Sequence, residues 1–118
     1  MRFIPIFKVS DLPSAVKFYT EKLGFRAPKS YSGPVVSLTL EKAELQLSTL
    51  PGDQAMATNV NLLVEDIEEV FRSVKYSGIN MSAHQGSPVH QGVVEQTWGT
   101  LEFYVTDPDG NTIRFVQR

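Results

Sequence analysis

The sequence predicts an α+β fold of paired βαβββ modules, with the helices outside curved mixed sheets. Two observations carry that prediction. Short segments with period-two alternation recur along the chain, each bounded by Gly, Pro, Asp or Asn. The chain also repeats itself: Val9-Ser10-Asp11-Leu12, a helical pattern and Leu23-Gly24-Phe25 return 55 positions later, from Val9 to Val64, as Val64-Glu65-Asp66-Ile67, a second helical pattern and Ser77-Gly78-Ile79. One domain over 1–118 is expected, made of modules 1–50 and 58–118 with a connector at about 51–57.

Residues 2–9 alternate, with Phe3, Pro5, Phe7 and Val9 on one side, and read as a strand. Pro5 donates no ladder hydrogen bond, which places this strand at an edge or a hinge. Ser10 or Asp11 caps a helix carrying Leu12, Ala15, Val16, Tyr19 and Leu23 on one face, with Pro13 in its first turn and Gly24 as its stop. Val36–Leu40 and Leu45–Leu47 form a hairpin about Lys42-Ala43. In the second module, Asn59–Val64 is a strand and Ile67, Val70, Phe71 and Val74 define a helix face. The last hairpin alternates Leu101, Phe103 and Val105 with Glu102, Tyr104 and Thr106, then Ile113 and Phe115 with Thr112 and Arg114. Asp107-Pro108-Asp109-Gly110-Asn111 is its turn, because proline presets φ, aspartate bonds nearby amides and glycine accepts positive φ.

The apolar register belongs against the helices, which leaves Ser37, Thr39, Glu44, Gln46, Asn59, Asn61, Glu102, Tyr104, Thr112 and Arg114 on the opposite face. Because duplicated sheets can curve toward each other, this face reads as the lining of a cleft, with a solvated sheet back as the alternative. Trp98, beside Gly99 at the mouth of the last hairpin, reads as a stacking wall for a planar or cationic ligand or as an apolar plug at an interface. Tyr104 and Tyr31 can extend the wall. Arg114 is either held by Glu102 or Glu44 or free to grip a ligand carboxylate. Glu44 and Glu102 read as surface or cleft-lining polar residues, with an acid–base pair as the alternative, although nothing in the sequence fixes their separation.

Absence of cysteine excludes disulfides, thiolate metal sites and a thiol nucleophile. A formal net charge of −2 with scattered basic residues offers no footprint for nucleic acid. No leader or membrane span is apparent, so a cytoplasmic protein with no membrane partner is expected. His84 and His90 both fall in the polar stretch 82–92 and read as exposed loop residues, with a loose His84/His90/Glu95 metal site as the alternative.

Taken in order, Val9-Ser10-Asp11-Leu12, Ala15–Tyr19, Leu23-Gly24-Phe25 and Asp107–Asn111 with Ile113-Arg114-Phe115 resemble the glyoxalase/bleomycin-resistance/extradiol-dioxygenase, or vicinal oxygen chelate, superfamily over the whole chain. Glu95–Gly99 followed by Phe103 looks most like its bleomycin-resistance branch, as does Ile4-Pro5-Ile6, where a proline marks the hinge of an exchanged first strand. The resemblance implies a homodimer with ligand clefts near the subunit interface. The metal-ligand positions of the superfamily's enzymes correspond to Ile4, Gln46, Asn59 and Arg114, and none of these side chains is a good ligand for a catalytic divalent ion. The implied function is therefore metal- and cofactor-independent capture of an antibiotic-like, planar or cationic small molecule. Trp98, Tyr104, Glu102, Arg114, Asn61, Asn59, Gln46 and Thr39 would line the site. The alternatives are a lyase or dioxygenase with a relocated or absent metal site, and a protein–protein interaction module.

Overall fold

The computed structural model describes residues 1–53 and 57–118. The strands β1 (Ile6–Lys8), β2 (Val35–Leu40), β3 (Ala43–Ser48), β4 (Asn59–Leu63), β5 (Val94–Glu95), β6 (Leu101–Thr106) and β7 (Thr112–Gln117) accompany the helices α1 (Leu12–Leu23), α2 (Ile67–Tyr76) and α3 (Pro88–Gln91). The chain divides into two compact units: Met1–Thr58 with Asp107–Asn111, and Asn59–Thr106 with Thr112–Arg118. Part of the connector expected at 51–57, residues 54–56, lies outside the described residues.

In the first unit the strand order is β1-β3-β2, with β1 parallel and β2 antiparallel to β3. An isolated antiparallel bridge between Arg26 and Thr39 supplies the remnant of a further strand, which completes the βαβββ pattern. Asp11 rather than Ser10 caps α1, its side chain accepting from Ser14 N at 3.0 Å, and Gly24 ends the helix at φ 77°. The apolar face of α1 buries Leu12, Val16, Tyr19 and Leu23 in a core with Phe7, Leu38 and Leu47. The first strand is shorter than the alternation over 2–9 suggests. Pro5 O still accepts from Gln46 N, but the missing proline N–H ends the ladder there and Phe3 stands fully exposed. The hairpin turns at Glu41–Lys42, one residue before the expected place, with Glu41 at positive φ.

Asp107 is the hub of the Asp107–Asn111 turn. Its Oδ1 accepts from the backbone N–H of Asp109 and Asn111, both at 2.9 Å, while its Oδ2 accepts from Tyr19 Oη at 2.7 Å and Asn111 Nδ2 at 3.1 Å. The same Asn111 amide donates to Lys8 O, and its oxygen accepts from Thr58 N. Buried Asp107 and Asn111 are thus fully satisfied, as buried polar groups must be.

In the second unit the order is β4-β7-β6-β5, with β4 parallel to β7 and the remaining pairs antiparallel. Asp66 caps α2 through Glu69 N. Phe71 of α2 meets Phe103 edge-on at 5.2 Å, and Phe103 stacks on Phe115 at 4.6 Å, so the apolar register of β6 and β7 lies under the helix. The backbone repeats the first unit in detail. Val9 N donates to Ser48 O just past the β1–β3 ladder, and Val64 N donates to Val116 O just past the β4–β7 ladder. Ladder position for ladder position, Gln46 in β3 corresponds to Arg114 in β7, and Ile6 to Asn61.

Candidate functional site

Pairing register fixes what the second unit shows on the face away from α2. Asn59, Thr112 and Thr106 form one row; Asn61, Arg114 and Tyr104 form the next; Leu63, Val116, Glu102 and Val94 form the third. Arg114 and Glu102 are the two charged side chains in these rows.

Glu102 is 5% exposed although it lies on the polar face. Three donors cover it: Trp98 Nε1 reaches Oε2 at 3.1 Å, Thr100 Oγ1 reaches the same oxygen at 2.5 Å, and Tyr104 Oη reaches Oε1 at 2.9 Å. Burial pushes its pKa up, but the hydrogen bonds from Thr100, Tyr104 and Trp98, with the nearby Arg114 charge, prevail and hold it below the ordinary carboxylate value. Glu102 is therefore an ionised carboxylate with both oxygens engaged, Oε2 by two donors and Oε1 by one. Its effect is to clamp Trp98. The indole N–H is engaged while 67% of the side chain remains exposed, so the ring is held as a panel.

Tyr104 is tied to Glu102 at its hydroxyl and carries the Arg114 guanidinium over its ring, with Cζ 4.9 Å from the centroid. Burial first, and then the Glu102 hydrogen bond, raises its pKa. Neither partner expected for Arg114 holds it. Glu102 accepts from the three donors already named, and Glu44 accepts from Arg2 at 2.5 Å. Buried Arg114 Nε has no acceptor among the described residues. Asn59 and Asn61 are exposed on β4.

The two histidines are half-buried rather than exposed loop residues. Met81–His84 forms a 3-10 turn, and His90 sits in α3. His90 Nε2 bonds to Thr106 Oγ1 at 2.9 Å and Nδ1 to Ser87 Oγ at 2.7 Å, while Thr106 Oγ1 bonds onward to Thr112 Oγ1 at 2.8 Å. The His90 ring also stands edge-on to Tyr104 at 5.8 Å and stacks on His84 at 4.2 Å. Burial, reinforced by the His84 charge, lowers the His90 pKa. With both of its ring nitrogens engaged, the His84/His90/Glu95 grouping does not form, and among the described residues no three His, Asp or Glu side chains are grouped to hold a metal ion. His90 and Thr100 are neighbours of the site that side-chain alternation does not single out, whereas Thr106 and Thr112 fall on the polar register that it marks. Ser87-Pro88 followed by Gly92 is the helix start-and-stop signal that could have found α3.

Thr39 and Gln46 lie on the first unit. Gln46 Nε2 donates to Ser37 Oγ at 3.1 Å. Thr39, with Arg26, Tyr31, Val35 and Ser37, lines an open groove of about 440 Å³ in which Tyr31 supplies the aromatic surface.

Residues 6–115 match the family described as the Glyoxalase/Bleomycin resistance protein/Dioxygenase superfamily. A bleomycin resistance protein of Geobacillus stearothermophilus is 25% identical, with 100% of this chain and 97% of that protein covered. A lactoylglutathione lyase of Haemophilus influenzae is 29% identical over 93% of this chain and 87% of that protein. The crystal structure of a bleomycin-binding protein complexed with bleomycin superposes with a TM-score of 0.80 at 26% identity, covering 100% of this chain and 98% of the other.

The four positions that the family resemblance assigns to metal ligands do not suit a divalent ion. Ile4 has no donor atom, Gln46 and Asn59 each offer only a weak neutral amide oxygen, and Arg114 brings a permanent cation.

Proposed function

The chain belongs to the glyoxalase/bleomycin resistance protein/dioxygenase superfamily, and we propose that it is a small-molecule binding protein of the bleomycin-resistance type, which sequesters its ligand without metal or cofactor and makes and breaks no bond in it. One observation carries this reading: Glu102 spends its charge on holding Trp98, Thr100 and Tyr104, so the face offers a fixed aromatic panel and no unengaged carboxylate. Aromatic faces at Trp98 and Tyr104 favour a planar ligand. Asn59, Asn61 and Arg114 read its polar edge, and Gln46 and Thr39 are proposed as contributors from the first unit. Protection by capture needs a dissociation constant on the order of micromolar or tighter.

The working form is proposed to be a cytoplasmic homodimer with the cleft at its interface, the second copy covering exposed apolar side chains such as Leu63 and Trp98. Exposed Phe3 and Ile6 beside Pro5 support exchange of the first strand between the copies. Among the described residues no helix is long and apolar enough to cross a membrane. No nucleic-acid or membrane partner is proposed.

Titration of Trp98 fluorescence with bleomycin and with fused-ring aromatics tests the reading. Saturable quenching by at least one of them is expected, with loss in Trp98→Ala followed by thermal shift. Quenching by none overturns it. Similarity to the lactoylglutathione lyase favours a second reading, an enzyme of that class. Formation or breakdown of lactoylglutathione by the purified chain would establish it in place of capture.

A further inference from the structure

Resting on the reading of this face as a ligand site, we infer that Arg114 is an anchor for a single carboxylate carried by a planar aromatic ligand. Arg114 is half-buried in the middle row of the face, between Asn61 on β4 and Tyr104 on β6. No carboxylate of the described residues pairs with it, and its enclosed Nε lacks any acceptor. The buried Nε–H carries an uncompensated cost, while the terminal guanidinium N–H groups of this half-buried side chain have no carboxylate among the described residues and are the donors a ligand oxygen can reach. The side chain is already oriented for that partner, because the Tyr104 ring supports one face of the guanidinium.

Charge on the face sets the class. Glu102 is the other charged side chain there; it keeps its negative charge near Arg114, but its hydrogen bonds come from Trp98, Thr100 and Tyr104 and none comes from the guanidinium. The remaining cations of this unit are on α2, as Arg72 and Lys75, and at the chain end, as Arg118. One guanidinium fork with no second cation in these rows of the second unit matches a monoanion accepting two parallel N–H bonds better than it matches a phosphate dianion. The Asn61 amide carries no hydrogen bond among the described residues and can donate to the same oxygen.

The test compares 2-naphthoate, 2-naphthamide and 2-naphthyl phosphate as quenchers of Trp98 in the full chain. Naphthoate should bind roughly ten- to a hundredfold more tightly than the amide. Arg114→Gln should bring the two within about twofold, with Arg114→Lys falling between. Unliganded Arg114→Gln should melt close to the parent temperature, since losing the buried Nε donor without an acceptor offsets losing the charge over Tyr104 and near Glu102. Equal binding of acid and amide by the parent protein, with quenching intact, overturns the carboxylate anchor and leaves capture standing. Tenfold tighter binding of the phosphate overturns the monoanion. A fall of several degrees in the unliganded variant marks Arg114 as structural, and no quenching by any probe overturns both the anchor and the capture reading.

Discussion

Replacing Glu102 by Ala removes the acceptor that three side chains share. Hydrogen bonds to a charged group are each worth about 1.5–3 kcal/mol. Their simple sum overstates the loss here: Trp98 is largely exposed and Thr100 half-buried, so water can replace the carboxylate for both, and the deletion also relieves the desolvation of a buried charge. The half-buried Tyr104 hydroxyl bears the uncompensated part, and the expected destabilisation is about 2 kcal/mol. Glu102→Gln should cost nearly as much, because one end of its amide presents N–H groups to donors. Urea unfolding at constant m-value reads the stability, and the emission and anisotropy of the sole tryptophan read the clamp directly. Trp98 should become more mobile in both variants. A Glu102→Gln protein within 0.3 kcal/mol (an order-of-magnitude threshold) of the parent, with unchanged Trp98 anisotropy, would refute the clamp.

Three other outcomes are expected. Tyr19→Phe deletes the buried 2.7 Å bond to Asp107 and should destabilise by about 2 kcal/mol in urea; a change under about 0.5 kcal/mol would contradict the hub role of Asp107. Because the folded pKa of His90 lies below its ordinary value of 6.5, the unfolded chain binds its proton first as pH falls; stability is full above about 6.5 and declines toward the folded pKa, and His90→Gln should flatten that slope in melting curves. Zinc or nickel at tens of micromolar (an order-of-magnitude dose) should leave the melting temperature of untagged protein unchanged, whereas a rise would show a metal site that Ile4, Gln46, Asn59 and Arg114 do not provide.

Much of the fold is legible in the sequence because it depends on local rules. Asp11, Pro13 and Gly24 bound α1 by capping chemistry, and strict alternation puts Phe103 and Phe115 under α2 and Tyr104 and Arg114 opposite. Departures arise where no local rule applies. Glu41 adopts positive φ without being glycine, which moves the β2–β3 turn by one residue. Proline at position 5 shortens β1 because the alternation it interrupts is only side-chain deep. At the site, the pattern gives the face but not the bonding. Glu102 is buried by donors from a loop residue, Trp98, from Thr100 beside the strand and from Tyr104 two residues on, a convergence that needs three dimensions. Arg114 loses both of its sequence-level partners, one to Arg2 and the other to that convergence. His90 escapes because a four-residue helix is too short for periodicity to register.

The most direct test is a heteronuclear NMR titration with 2-naphthoate in which protein and ligand signals are followed together. Perturbations confined mainly to the Trp98 indole N–H, Asn61, Tyr104 and the Arg114 Nε–H, with ligand resonances that shift but give no new species over a day, are the expected result. Perturbations elsewhere, or the growth of product resonances, would contradict capture on this face.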